Sequence, residues 1–210
     1  MGNNAPDIAL LKKAKARNQR VYNRNAAWWH NRRLRTLYEK VWLDRFEQCL
    51  TAEGALLDLG CGTGEPVARY FLEKGYSVTG VDYAPAMIEI AHGNLPSATW
   101  LIQDMTDLNL NGPYAGIYSW DGFFHLDRAA QKALLPKLAA LLAPKGVLML
   151  TVGYENGEIL GTVADEQVYN ASLAPEEYQQ ILSENGCLEF TFKANDDECL
   201  GRSILLASKG

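Results

Sequence analysis

The sequence predicts an α/β fold with a doubly wound parallel sheet, and three observations carry that expectation. Short apolar runs alternate with helical patterns from residue 55 to 152. A glycine-rich loop joins the first strand to the helix that follows. The second and third strands each run into an acidic residue at their carboxyl ends, where ligands of such sheets bind. A chain of 210 residues, 48% of them hydrophobic, is enough for one packed domain. The longest apolar runs, such as Val147 to Val152, fall far short of the roughly 20 residues of a membrane-spanning helix. With no signal-peptide pattern, the expected location is cytoplasmic. Met1-Gly2 is followed by Pro6 where a myristoylation signal needs Ser or Thr. Cys49, Cys61, Cys187 and Cys199 show no metal-ligand spacing, so reduced thiols and no metal are expected.

Taken in order, residues 8 to 20 read as a short basic helix. Residues 26 to 49 read as a longer one, with Trp28, Leu34, Leu37, Val41, Trp42 and Phe46 at near-helical spacing. Tyr22, Trp28 and Trp29 cluster at the joint between the two, where an N-terminal helical lid over residues 1–50 would fold onto a body of residues 51–210. Thr51 to Gly54 is a turn into the first strand, Ala55 to Leu59. A helix from Pro66 to Lys74 ends at Gly75, a C-cap glycine. The strand Ser77 to Asp82, the helix Pro85 to His92, and strands near Thr99 to Gln103 and Tyr114 to Ser119 follow. The helix Arg128 to Leu142 and the turn Ala143-Pro144-Lys145-Gly146 feed a fifth strand, Val147 to Thr151. Glu158 to Val163 and Gln167 to Ala171 read as an inserted hairpin. The helix Pro175 to Glu184 and strands near Leu188 to Lys193 and Ser203 to Ala207 complete the chain.

Charge is unevenly spread. Residues 1 to 40 hold 10 Lys/Arg against 2 Asp/Glu, within a chain of net charge -5. A basic segment can dock a polyanion, but a solvated helix face accounts for it as well, and the acidic remainder would repel nucleic acid.

The chemistry centres on Leu56-Leu57-Asp58-Leu59-Gly60-Cys61-Gly62-Thr63-Gly64-Glu65-Pro66. Alternate glycines let the backbone turn sharply and approach a ligand closely. The dinucleotide fingerprint requires glycine where Glu65 stands, and a carboxylate there would repel a pyrophosphate. Asp58 instead suits a ligand bearing an amino group. Asp82, 22 residues after Gly60, stands where a carboxylate can accept from both hydroxyls of a ribose.

Asp58-x-Gly60-x-Gly62-x-Gly64, Val81-Asp82, Gln103-Asp104-Met105 and Leu142-Ala143-Pro144-Lys145-Gly146-Val147-Leu148 resemble, in order and spacing, the motifs of class I S-adenosylmethionine-dependent methyltransferases. The resemblance implies a Rossmann-like, seven-stranded sheet whose last strand is antiparallel. It implies S-adenosyl-L-methionine as cofactor, with S-adenosyl-L-homocysteine as product. Asp58 and the loop of Gly60, Cys61, Gly62 and Gly64 would hold the methionine part, Asp82 and Tyr83 the ribose side, and Asp104 and Met105 the adenine. Tyr22 with Ala26 or Ala27 and Trp28, Trp42-Leu43-Asp44-Arg45-Phe46, Trp120-Asp121-x-Phe123-Phe124-His125 and Tyr169-x-Ala171-Ser172 are similar to the small standalone members. Asn170 and Arg202 depart from that group, which tends to carry His at both positions.

Methyl transfer requires alignment of donor and acceptor, and removal of a proton where the acceptor has one. Tyr22, Trp28, Trp120 and Phe124 are expected to form an aromatic wall near the sulfonium. His125 is the expected general base and Asp121 its catalytic neighbour, both just past the fourth strand. Trp28, Phe124, Tyr169, Asn170 and Arg202 are expected to contact the acceptor. Neither an Asn/Asp-Pro-Pro-aromatic segment nor a Pro-Cys nucleophile follows that strand, as base methylation would require. The expected reaction is therefore transfer to a N, O or S atom of a small molecule, by a monomer or homodimer with no membrane or nucleic-acid partner. Two alternatives stay open: an RNA or protein methyltransferase docking through the basic N-terminal helix, and a non-catalytic S-adenosylmethionine-binding module.

Overall fold

A computed structural model describes residues 7–51 and 54–210. The lipidation reading at Met1 to Pro6 and part of the Thr51 to Gly54 turn lie outside the described residues. Seven strands form one sheet: β1 (Ala55–Leu59), β2 (Ser77–Asp82), β3 (Thr99–Ile102), β4 (Tyr114–Ser119), β5 (Leu142–Val152), β8 (Cys187–Asp196) and β9 (Arg202–Lys209). Their order is β3-β2-β1-β4-β5-β9-β8. Strands β1 to β5 run parallel, and β9 pairs antiparallel with both β5 and β8, as expected. The strand order reverses between β1 and β4, so a crevice opens beyond their carboxyl ends.

Period-two alternation in β1 builds both faces of the core. Leu57 and Leu59 pack with Ile117 and Leu148 against Leu134, Leu135 and Leu138 of α7 (Arg128–Leu141), and Tyr178 and Leu182 of α8 (Pro175–Glu184). On the other face Leu56, Tyr118 and Met149 pack against Trp42 and Phe46 of α4 (Lys40–Cys49) and Phe71 of α5 (Val67–Glu73). Ile88 of α6 (Pro85–Asn94) joins them. Asp58 shares the Leu56 side yet lies at the strand's last turn toward the crevice.

The N-terminal segment differs from expectation. The helix expected over residues 8 to 20 is two, α1 (Ile8–Lys15) and α2 (Asn18–Arg24). The helix expected over residues 26 to 49 is α3 (Ala26–Arg32) and α4, separated by an irregular stretch. Leu37 there takes a left-handed φ of 54° and Glu39 is fully buried against Arg33, a tertiary pairing that overrides the helical spacing. Consequently α4 belongs to the core, while α1 to α3 lie across the crevice. α5 also starts one residue late, with Pro66 as its N-cap, and the expected turn Ala143 to Gly146 is an irregular start of β5, with Lys145 at φ 61°.

The hairpin forms as a separate two-stranded sheet, β6 (Gly157–Val163) and β7 (Glu166–Ser172). Its two-residue turn places Ala164 and Asp165 at φ 47° and 66°, the conformation that matches strand twist. Leu11 and Ala14 of α1 pack on Tyr169 and Ala171, and Val21 of α2 on Val163 and Val168. Ion pairs join the basic segment to the acidic body: Lys15 with Asp127, Arg24 with Glu166, and Arg35 with Glu65 at 2.8 Å. Among the described residues, no helix is long and apolar enough to cross a membrane.

Candidate active site

A cavity of about 390 Å³ opens where the β1, β2 and β4 ends meet α2 and α3. Asp58, Gly60, Cys61, Gly62, Gly64, Asp82, Tyr83, Asp104, Met105, Trp120 and Tyr22, all expected at the cofactor, line it, and so do Asp121 and His125. The glycine loop is required by backbone shape. Gly60 has φ 68°, and a Cβ there would sit 3.1 Å from Gly122 Cα and Met105 Cε. Gly62 has φ 52°, but a Cβ would meet nothing nearer than Trp29 Nε1 at 3.9 Å, so this glycine also keeps the cavity floor open.

Three carboxylates stand around that floor. Asp58 is 4% exposed, and burial pushes its carboxyl up to about 8 against the effect of the Tyr118 hydroxyl. Asp82 is 8% exposed; its Oδ2 accepts from the Gly62 N–H at 3.0 Å and its Oδ1 from the Ala84 N–H at 2.8 Å. Burial raises it to about 6, opposed by these backbone donors. Asp104 Oδ1 accepts from the Thr106 N–H and hydroxyl at 2.8 and 2.7 Å, which fixes the carboxylate at the start of a short 3-10 turn. Burial raises the Cys61 thiol and the Tyr83 phenol, so both stay protonated. The Trp120 Nε1–H is buried on the cavity wall and has no partner among the described residues. Taken together, the set fits S-adenosylmethionine: acceptors for an ammonium, a diol and an exocyclic amine, and a spare donor for a carboxylate. Among the described residues, no group of three or more His, Cys, Asp or Glu is placed to hold a metal ion.

His125 ends a short 3-10 turn after β4. Its Nδ1 lies 3.0 Å from the Tyr169 carbonyl and its Nε2 2.7 Å from the Tyr22 hydroxyl. A carbonyl can only accept, so Nδ1 carries the hydrogen and Nε2 accepts from Tyr22. Desolvation lowers the His125 pKa, with the Tyr169 carbonyl, Asp121 and Asn170 opposing. Desolvation also holds the Tyr22 phenol well above its usual value, as do Tyr83, Asp121 and Asp82. Both shifts favour the neutral imidazole and the neutral phenol.

Asp121 occupies a left-handed φ of 58°, and its N–H donates to Thr151 Oγ1 at 2.7 Å. Its carboxylate accepts from Arg202 Nε at 3.2 Å and Nη2 at 3.0 Å. Arg202 therefore stands behind Asp121, over the Tyr38 ring at 5.5 Å, and does not line the cavity. Four other residues expected at the acceptor lie outside the lining too. Trp28 is 39% exposed beneath the Arg32 guanidinium, and its neighbour Trp29 takes the inward position, edge-on to Tyr22 at 5.8 Å. Phe124 packs on the His125 ring, with centroids 4.8 Å apart. Tyr169 offers its carbonyl, while its hydroxyl donates to Glu158 at 2.5 Å. Asn170 lies beside His125 with a buried Oδ1 that has no partner among the described residues.

Several lining residues carry no sequence signal. Asn18 donates Nδ2 to the Tyr169 carbonyl and accepts its N–H on Oδ1, both at 2.9 Å. On the other side of the cavity, Gln19 Nε2 donates to the Tyr83 carbonyl at 2.7 Å, and Asn23 Oδ1 accepts the Ala86 N–H at 2.9 Å. Thus α2 is bonded to both walls. His30 Nδ1 lies 3.1 Å from Thr63 Oγ1 in the glycine loop. Glu65, whose carboxylate argues against a pyrophosphate ligand, lines the cavity and is bound by Arg35 and Arg69.

A seven-stranded sheet in this order, with its site at the β1/β4 reversal, is the class I methyltransferase fold. A family model described as a methyltransferase domain matches residues 56–146, from β1 into β5. The trans-aconitate 2-methyltransferase of Enterobacter sp. (strain 638) is 33% identical over 145 residues, which cover 63% of this chain and 56% of that protein. The chain spans between 28% and 56% of the length of the curated relatives it matches. S-adenosylmethionine-bound CalS10, an amino pentose methyltransferase from Micromonospora echinaspora, superposes with a TM-score of 0.69 at 20% identity, over 89% of this chain and 96% of its own. The Burkholderia thailandensis 1,6-didemethyltoxoflavin-N1-methyltransferase gives 0.68 at 18% identity, over 100% and 92%. At such identities these two structures speak for the fold alone.

Proposed function

We propose that the chain transfers the methyl group of S-adenosylmethionine to a N, O or S atom of a small molecule. The observation that carries this reading is the convergence of Asp58, Asp82, Asp104 and the glycine loop on one cavity. When bound, the cofactor supplies a methyl group already activated by the sulfonium. Asp58 would hold its ammonium, Asp82 the ribose hydroxyls, and Asp104 with Met105 the adenine. Tyr22, Trp29 and Trp120 would face the sulfonium with aromatic surface and keep water away. His125, held neutral by its surroundings, accepts the acceptor's proton.

Residues 1–50 are read as the lid-bearing segment of this domain, with α1 to α3 as the lid itself. The enclosed cavity suits an acceptor surrounded on several sides. Docking of RNA through the N-terminal basic helix has less support, since the chain beyond residue 40 is acidic and would repel a polyanion.

Titration calorimetry with S-adenosylmethionine and S-adenosylhomocysteine tests the proposal. Binding is expected, and Asp82→Ala is expected to weaken it by about 100-fold, the scale of a charge-assisted hydrogen bond pair. Unchanged affinity in that variant removes the ribose assignment. Binding without methyl transfer to any of a broad acceptor set would favour the non-catalytic module.

A further inference from the structure

The pairing of Tyr22 with His125 bears on the chemical class of the acceptor, an inference that rests on the methyl-transfer reading above. His125 is built as a proton acceptor: Nδ1–H is fixed on the Tyr169 carbonyl and Nε2 is left with a lone pair. That lone pair is not open to the cavity. The Tyr22 hydroxyl, brought in by α2, occupies it at 2.7 Å. A proton leaving the acceptor thus reaches His125 through the Tyr22 oxygen, which keeps lone pairs of its own to receive it.

The charges on the wall point the same way. Lys15 and Arg33, the two cationic side chains lining the cavity, are committed to Asp127 and Glu39. Arg202 is committed to Asp121. Asp58 and Asp82 carry no ion pair among the described residues. Among the described residues lining the cavity, a polycarboxylate acceptor would find no cation without an acidic partner. It would also have no use for the Tyr22–His125 pair, because an ionised carboxylate has no proton to lose.

We propose that the acceptor is a protic nucleophile, an amine or a hydroxyl compound rather than a carboxylate, and that Tyr22 takes its proton in relay with His125. The acceptor heteroatom forms its bond to the methyl carbon as the carbon–sulfur bond breaks and sulfur keeps the electron pair. The heteroatom's proton passes to the Tyr22 oxygen while the Tyr22 proton moves to His125 Nε2. The resulting imidazolium donates through both nitrogens, to Tyr169 and to Tyr22, and afterwards loses its proton to solvent. Tyr22 is faced by Trp29 of α3, Tyr83 and Asp82 at the end of β2, and Asp121 after β4. His125 is faced by Asp121, Phe124, and Tyr169 and Asn170 of β7.

The test compares wild type with Tyr22→Phe, which keeps the ring. Aliphatic amines and phenols on one side and trans-aconitate on the other serve as probe acceptors. Methylation within the amine and phenol set and none of trans-aconitate is expected. In Tyr22→Phe the kcat should fall by about 100-fold, the scale of general base catalysis, and the acid limb of the pH profile should flatten. S-adenosylhomocysteine affinity by calorimetry should change by less than about threefold, since the aromatic face remains. Nitrogen NMR of the cofactor-free protein gives a readout independent of turnover: His125 Nε2 should shift toward a free imidazole nitrogen in the variant. Methylation of trans-aconitate, or an unchanged kcat and unchanged Nε2 resonance in Tyr22→Phe, would overturn the inference and leave methyl transfer standing. Absence of calorimetric binding of either cofactor form to wild type would remove both.

Discussion

The two halves of the cavity are made in different ways. The cofactor half comes from one stretch of chain, Asp58 to Met105, in which each carboxylate sits at the carboxyl end of successive parallel strands. The acceptor half is assembled from α1 to α3, the segment after β4, and β7, joined by contacts such as Asn18 to Tyr169, 151 residues apart. One half is fixed by strand geometry and the other by side-chain hydrogen bonds, ion pairs and apolar contacts of α1 and α2 with the hairpin. The first should therefore yield to point changes only at its charges. The second should yield to the loss of single struts.

The largest expected effect lies in the acceptor half. Arg33→Ala leaves the fully buried Glu39 without its partner and should destabilise the protein by about 3–5 kcal/mol, read as a lowered midpoint in urea or heat. Asn18→Ala should follow at about 2 kcal/mol, because the buried Tyr169 N–H loses its acceptor and the Tyr169 carbonyl loses one of its two donors. If the halves are as separate as their construction implies, Asn18→Ala should slow methyl transfer more than it weakens cofactor binding. An equal loss in both would erase the distinction.

The cofactor half should show itself in pH dependence. Asp58 and Asp82 have folded-state pKa values of about 8 and about 6, both raised above those of the unfolded chain. Each contributes stability below its unfolded value and loses it as pH rises through the folded one. The melting temperature of the cofactor-free protein should fall from about pH 5.5 to about 8.5. A bound ammonium favours ionised Asp58, so the stabilisation conferred by S-adenosylmethionine should grow over the same range. Trp28→Ala gives the smallest effect on function, with no change in cofactor affinity by calorimetry, because the side chain lies outside the cavity lining.

The same contrast governs what the sequence discloses. Asp58, Gly60, Gly62, Asp82 and Asp104 are legible because spacing along a βαβ unit dictates where they stand. Trp28 and Trp29 are equivalent on paper, and only the packing of α3 against the crevice turns Trp29 inward. Arg202 carries a charge suited to an acceptor, yet β9 places it behind Asp121. The helix read through residues 26 to 49 fails at residues 33–39, where burial of the Arg33–Glu39 pair outweighs helical spacing. Nothing local announces Asn18, whose partners lie on a strand far along the chain.

One backbone oxygen gives the acceptor half its unity. The Tyr169 carbonyl accepts from Asn18 of α2 at 2.9 Å and from His125 Nδ1 at 3.0 Å, while Tyr22 of the same helix caps the opposite nitrogen of the ring. The imidazole is held at one nitrogen by a hydroxyl of α2 and at the other by a β7 carbonyl that Asn18 of α2 also bonds. Lifting that helix would strip the ring of its hydroxyl and slacken its hold on the carbonyl in a single motion. The seating of a helix and the readiness of a base are, at this oxygen, the same event.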